Sequence, residues 1–170
     1  MISILGELCE LPLEARDLVF EASVGYDLLG LRSHKMRSFL HALRDIGGLL
    51  SVEREELSRQ LPPSLRSLAD VACPTQLATS VTLSTFHGCP PAEIAEMARF
   101  LLCEMGFHTV VKMNPTLLGC EAVAGLLAKG GWSEIRLVPS AFERDLHWDA
   151  AVDMFHELEN LASGRGLSVG

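Results

Sequence analysis

The sequence has little of several features that would place it in a well-defined functional class. Its 14 Lys and Arg residues are outnumbered by 22 Asp and Glu residues, and no basic stripe with interleaved aromatic residues is present. Nucleic acid and anionic membrane surfaces are therefore disfavoured as partners. No apolar run approaches the length of a membrane span, and the first residues are acidic where a secretory signal is basic. We expect a cytoplasmic protein with no nucleic-acid or membrane partner.

The cysteine pattern also lacks the features of a structural or metal-binding framework. The five cysteines are odd in number and form no CxxC pair, and no GxGxxG dinucleotide fingerprint occurs. This pattern disfavours a disulfide framework, a zinc site and an iron–sulfur cluster, so we expect reduced thiols and no metal. Cys89 is the one candidate for reactivity, because it precedes a predicted helix whose dipole lowers a thiol pKa.

The most informative stretch is 79–119, which predicts a strand, a polar loop, a helix, a second strand and a second polar loop. Residues 79–84 are β-branched and apolar, as is typical of a buried strand. Pro91 predicts a helix start, because the amide proton that proline lacks would be unpaired there. Residues 108–113 form the second strand, which Pro115 ends. A strand, helix and strand of this length indicate a parallel pair.

The rest of the chain predicts further helices and strands on both sides of this stretch. Before it we expect a short helix or irregular arm over 1–22, a structured loop over 23–30, a helix over 35–46 closed by Gly47 and Gly48, and one or two short helices over 49–70. After it we expect a helix over 121–128, a strand over 135–138 broken by Pro139, a last helix with Val152, Phe155, Leu158 and Leu161 inward, and the start of a fourth strand over 167–170.

These elements predict an α/β fold in which parallel βαβ units form part of a TIM-barrel-like structure. Three strands, each followed by a helix, supply about half of an eight-stranded barrel, which typically needs about 250 residues. We therefore expect one domain over 1–170 that is an incomplete barrel, mainly helical over 1–70 and built of βα repeats over 79–170.

The two polar loops leave the sheet at the carboxyl ends of neighbouring strands, where α/β folds place their chemistry. Lys112 is the first candidate, because an ammonium near the end of an apolar strand must face an anion or water. A strand-end lysine that extends to solvent is the alternative.

His87 can shuttle a proton near neutral pH, although a lone loop histidine is more often a hydrogen-bonded surface group. The charged run over 143–147 is typical of a solvated face.

Four runs of the sequence carry a resemblance to a known family. They are SVGYDLLGLRSHKMRSFLHALRD at 23–45, VTLSTFHGCPPAEIAEMARFLL at 81–102, HTVVKMNPTLLG at 108–119 and DLHWDAAVDMF at 145–155. These runs resemble the YgfK-type family, whose members carry the label of selenate reductase subunit. That family is similar to the dihydropyrimidine dehydrogenase and glutamate synthase group, in which an FMN barrel exchanges electrons with an FAD/NAD(P)H module and iron–sulfur clusters. The resemblance implies that this chain is part of the barrel. It implies that FAD and iron–sulfur clusters belong to the remainder of the polypeptide or to partner redox subunits.

The resemblance also implies roles for particular residues. Flavin barrels related to dihydroorotate dehydrogenase have a K-L-x-P strand end whose lysine contacts the flavin, and Lys112 in VKMNP matches it. A cation there stabilises the negative charge of the reduced ring. The other residues implied at the cofactor or substrate are Ser84, Thr85, His87, Asn114 and Thr116. Thr82 stands where the wider group has the asparagine that binds a pyrimidine ring, so the resemblance does not extend to that substrate.

Three functions stay open on the sequence alone. The first is a flavin-barrel segment of an oxidoreductase that is inactive by itself. The second is a non-catalytic truncated barrel that serves as an assembly piece, and an unpaired edge at 167–170 would let it form a homodimer. The third makes Lys112 a Schiff-base nucleophile, although no carboxylate is placed to help it. No arginine cluster marks an oxyanion site, so the sequence names no substrate.

Overall fold

The structure is a computed structural model that describes residues 21–86 and 88–170. His87 and nearly all of the arm predicted over 1–22 lie outside the described residues. The chain divides into two compact units, and their described parts are Glu21 with Ser38–Thr79 in one unit and Ala22–Arg37 with Ser80–Gly170, apart from His87, in the other. The single domain expected from the sequence stays a prediction.

The second unit is built on a three-stranded parallel sheet in the order β1 (Ala22–Tyr26), β2 (Ser80–Thr85) and β3 (His108–Lys112). The prediction of β2 and β3 is confirmed, whereas the prediction of a loop over 23–30 is wrong for β1. Gly25 within the strand and Gly30 after it are typical of loops, so the sequence does not reveal β1, and pairing with β2 supplies its hydrogen bonds. Gly25 has φ of 136°, and a Cβ on it would overlap the carbonyl oxygen of Ser84. Glycine is therefore required at this position.

The two faces of the sheet differ sharply in burial. Side chains alternate between faces along a strand, and burial alternates with them along β2 and β3. The buried face carries Val24, Val81, Leu83, Thr109 and Val111. The opposite face, which we call the open face, carries Ser23, Gly25, Thr82, Ser84, His108, Val110 and Lys112. Val110 is 45% exposed there.

Seven α-helices lie in the described chain. They are α1 (Leu28–Leu31), α2 (His34–Arg44), α3 (Gly47–Gln60), α4 (Pro91–Arg99), α5 (Cys120–Lys129), α6 (Pro139–Arg144) and α7 (Trp148–Ser163). A π-helical turn over Phe100–Glu104 extends α4, and 3-10 helices run over Pro63–Asp70 and Pro115–Leu118. Gly47 and Gly48 begin α3 and do not close α2, which ends at Arg44. The Asp45 carboxylate accepts a hydrogen bond from the Gly47 amide at 2.8 Å at the start of α3.

The helical layer of the second unit centres on α4, its π-helical turn and α7. The fully buried side chains of α4 and the turn include Met97, Phe100, Leu101 and Leu102. The inward face of α7 carries Ala151, Met154, Leu158 and Ala162. The expectation of an inward position is confirmed for Leu158 and wrong for Val152, which is 38% exposed, whereas Phe155 and Leu161 are half-buried. The small alanines allow the α7 backbone to pack closely, which larger side chains would prevent.

The prediction of a strand over 135–138 is also wrong, because these residues form no strand and Val138 is 62% exposed. The edge of β3 is paired instead with the last residues of the chain. The Thr109 amide donates to the Ser168 carbonyl at 3.0 Å, and the Val111 amide donates to the Gly170 carbonyl at 2.7 Å. A strand edge accepts one neighbour, so this pairing leaves no place for 135–138. The strand start expected over 167–170 is present only as an isolated bridge between Val169 and Thr109, and it adds no fourth strand to the sheet.

The other unit is helical in its described part, as expected for 49–70. The Arg54 guanidinium donates to the Val71 carbonyl at 2.6 Å and so joins α3 to the chain after the 3-10 helix. The amides of Leu77 and Ala78 both donate to the Leu43 carbonyl. No described helix combines the length and the apolar character that crossing a membrane requires.

Candidate functional site

Lys112 lies at the carboxyl end of β3, on the open face of the sheet. The parallel register places Gly25 opposite Ser84, and Ser84 opposite Lys112, so the three residues form one row across the strands. Lys112 is exposed, and it makes no hydrogen bond or ion pair with another residue of 21–86 or 88–170. Its ammonium group is therefore available to a ligand that approaches the open face.

A cavity of about 340 Å³ lies beside the ends of β1 and β2, and Ser23, Gly25 and Ser84 of the open face line it. Lys112 is not among its lining residues. The lining combines backbone and hydroxyl groups of the strands with two larger apolar side chains, Met36 and Phe86. The hydroxyl oxygens of Ser23 and Ser84 are 2.9 Å apart and share a hydrogen bond. The cavity has the mixed apolar and polar character that is common in small-molecule sites.

A second, much smaller cavity of about 10 Å³ lies between the loops that follow β2 and β3. This space suffices for about one water molecule. Its lining includes Thr85, Cys89, Asn114, Thr116 and Asp145. The structure therefore separates the residues predicted from the sequence into two groups. Ser84 and Lys112 lie on the open face, whereas Asn114, Thr116 and Cys89 surround this small cavity, and Thr85 lines both cavities.

Asp145 joins the two loops around the small cavity, and it is the residue that the sequence interpretation missed. Its side chain is buried, with the residue only 6% exposed. Its Oδ1 accepts a hydrogen bond from the Gly88 amide at 2.5 Å, and its Oδ2 accepts one from the Thr116 hydroxyl at 2.6 Å. The solvated face expected for 143–147 is thus wrong at Asp145. One signal was present, since the DLHWDAAVDMF run begins at this residue.

Cys89 is a buried thiol and not an activated one. Burial, followed by the negative charges of Glu93 and Asp145, raises the pKa of Cys89 to about 11. The expectation of a lowered pKa is therefore wrong, because desolvation and two carboxylates outweigh the dipole of α4. The thiol is protonated at neutral pH.

The pKa of Cys89 gives a direct prediction for its reactivity. We expect its alkylation by iodoacetamide to be slow at pH 8 and to rise about tenfold per pH unit toward pH 11, because the thiolate is the nucleophile. Peptide mapping by mass spectrometry would follow Cys89 separately, with the half-buried Cys120 as an internal reference. Alkylation of Cys89 that levels off below pH 9 would contradict the raised pKa.

The comparisons with known proteins agree with the α/β architecture. The family model described as "Oxidoreductase YgfK, N-terminal TIM-barrel domain" matches residues 1–170. Two relatives, both named "Putative oxidoreductase YgfK" and from Escherichia coli strains K12 and O157:H7, are 34% identical to this chain over 171 residues. The match covers 91% of this chain and 16% of each relative.

No solved structure matches the chain. The family match confirms the resemblance and the partial TIM-barrel architecture expected from the sequence, to which the parallel sheet also conforms. Because the chain spans 16% of the relatives' length, it corresponds to one part of those larger proteins. The chain belongs to the family of the YgfK oxidoreductase N-terminal TIM-barrel domain.

Proposed function

We propose that this barrel segment binds FMN over the open face, at the carboxyl ends of β1, β2 and β3, and takes part in electron transfer within a larger oxidoreductase. The observation that carries the proposal is the position of Lys112, which is exposed on the open face and lies opposite Ser84 in the sheet. A lysine on the outer, helix-covered face could not reach a ligand at the mouth of a barrel. The alternation of burial along β3 supports the open-face position.

The dimensions of the two cavities favour one location for the flavin ring. The cavity of about 340 Å³ beside Ser84 is within the size range of small-molecule sites, roughly 300 to 1,000 Å³. The cavity of about 10 Å³ around Asn114 is too small for any cofactor ring. We therefore place the ring over the open face, with Met36 and Phe86 as its apolar contacts. Asn114 and Thr116 then act by shaping the loop after β3.

Three residues at the strand ends, Lys112, Ser84 and Thr85, have a definable part in such a site. A bound FMN supplies the acceptance and release of electrons. The ammonium of Lys112 stabilises the negative charge that reduction places on the ring, because a fixed cation in a partly desolvated site needs no reorganisation. The hydroxyls of Ser84 and Thr85 orient the ring by hydrogen bonding.

The proposal also concerns how the cofactors of the larger oxidoreductase are divided between this chain and its other regions. The wider group that the sequence resembles passes electrons among FMN, FAD and iron–sulfur clusters. We propose that FAD and the clusters are carried by other regions of the polypeptide or by partner redox subunits, and that this chain is inactive alone. The size of the relatives, of which this chain covers 16%, supports this division. Selenate reduction is a label of the family, and the described residues present no arginine cluster at the open face that would bind an oxyanion.

Titration of the purified chain with FMN tests the proposal directly. We expect quenching of FMN fluorescence and a shifted visible absorption spectrum that saturate at one FMN per chain. Absence of both changes at high protein concentration would refute the flavin site. Borohydride treatment in the presence of a carbonyl compound distinguishes the Schiff-base alternative, which requires a covalent adduct on Lys112.

An assembly role is the second candidate, and exposed apolar side chains favour it. Six large apolar residues between 118 and 148 are 46% to 62% exposed, namely Leu118, Leu126, Trp132, Ile135, Val138 and Trp148. The helix α5 in this region has no buried residue. Such a surface is typical of a region that associates with other protein. A colourless homodimer in sedimentation analysis would favour this function over flavin binding.

A further inference from the structure

The buried carboxylate of Asp145 is held by donors from two separate loops. The Gly88 amide belongs to the turn between β2 and α4, and the Thr116 hydroxyl belongs to the 3-10 helix Pro115–Leu118 after β3. Gly88 has φ of 79°, a conformation that suits glycine. Hydrogen bonds to an ionised carboxylate are roughly twice as strong as neutral ones. Asp145 with these two donors is called the Asp145 clamp below.

The Asp145 clamp connects the loops that flank the open-face residues. Thr85 ends β2, just before the turn that contains Gly88. Lys112 ends β3, and Asn114 is the N-cap of the 3-10 helix that contains Thr116. A buried carboxylate is costly unless hydrogen bonds satisfy it, so loss of either donor weakens the stabilisation of a buried charge. The two loops are therefore held at one spacing.

We infer that Asp145 is a positioning residue, whose clamp fixes the loops after β2 and β3 so that residues at both strand ends meet one ligand. The inference rests on the proposed flavin site for the identity of that ligand. The clamp itself stands on geometry alone. Asp145 lies beside the small cavity, away from the open face, and therefore acts through the loops without touching the ligand.

Two substitutions separate the clamp from the charge of Asp145. Thr116→Val replaces the hydroxyl with a methyl group, so it removes one donor and leaves the carboxylate in place. Asp145→Asn removes the charge, which also acts on Cys89. Thr116→Ser restores the hydroxyl and serves as the rescue variant. Thr79→Val makes the same chemical change at an exposed position and serves as the matched control.

The first measurement is FMN affinity by fluorescence titration of the full 170-residue chain. We expect Thr116→Val and Asp145→Asn to weaken binding by about three- to tenfold, part of the effect of losing a hydrogen bond to a charged group. Thr116→Ser and Thr79→Val should keep the affinity of the unchanged protein. Unchanged affinity in both clamp variants, with folding verified by circular dichroism, would overturn the positioning role.

The second measurement does not depend on flavin. Opening of the clamp exposes Cys89, so Thr116→Val should accelerate Cys89 alkylation severalfold at pH 8 while Cys120 reacts as before. If the unchanged protein binds no FMN, the proposed function fails, whereas faster Cys89 alkylation in Thr116→Val still supports the clamp. An unchanged Cys89 rate in Thr116→Val overturns the clamp even where FMN binds.

Discussion

Replacing Lys112 with alanine is expected to weaken FMN binding by about 10- to 100-fold, the effect of losing a hydrogen bond from a charged group to a ligand. Lys112 is exposed on the open face, so the substitution removes an ammonium without creating a core cavity. The fold should be unaffected. Quenching of FMN fluorescence measures the affinity, and far-UV circular dichroism measures the fold.

Two control variants sharpen this result. Lys129→Ala removes the same charge from the end of α5, remote in sequence from the strand ends, and should leave FMN affinity unchanged. Lys112→Arg keeps the charge with a different donor geometry and should recover part of the affinity. Equal weakening by Lys112→Ala and Lys129→Ala would show nonspecific attraction between FMN and the chain, and the assignment of Lys112 would fail.

Replacing Phe100 with alanine is expected to lower the free energy of unfolding by about 3 to 5 kcal/mol, the usual cost of removing a buried aromatic side chain. Phe100 is fully buried at the start of the π-helical turn. The guanidinium carbons of Arg32 and Arg37 lie 5.6 Å and 4.7 Å from the centre of its ring. The substitution therefore removes core packing together with two cation–π contacts. Urea denaturation followed by circular dichroism measures the change.

Leu126→Ala is the matched control for this prediction. Leu126 is 57% exposed on α5, so its truncation should change stability by less than about 0.5 kcal/mol. Arg37→Ala should have an intermediate effect, because it removes one cation–π contact and the ion pair with Glu104 at 2.8 Å. A loss below about 1 kcal/mol for Phe100→Ala would mean that the core collapses around the missing ring.

Local signals explain why β2, α4 and β3 could be predicted from the sequence. The β-branched and apolar residues of β2 and the proline at the first position of α4 each act through residues close in the chain. Such signals operate over a few residues and need no knowledge of distant partners. Side chains alternate between the two faces of β3 with a period of two residues, and this alternation places Lys112 on the open face.

Long-range pairing explains the errors. β1 exists because β2 supplies its ladder, and 135–138 form no strand where the edge of β3 pairs with residues 168–170. Composition alone does not determine which of the two segments, 135–138 or 168–170, pairs with the edge of β3. Asp145 was missed for the same reason, since its donors lie 57 and 29 residues away. The pKa of Cys89 is raised where the sequence predicted a lowered value, because the thiol is buried. A single sequence does not reveal burial.

The exposed tryptophans determine how this protein can be followed spectroscopically. The sequence has two tryptophans, and Trp132 and Trp148 are 56% and 58% exposed. Their emission in the folded state should already be close to that of indole in water, so denaturation will shift it little. A blue shift on mixing with another polypeptide would instead report directly that indole rings have been covered. Tryptophan fluorescence is therefore insensitive to unfolding of this protein and sensitive to its association with another polypeptide.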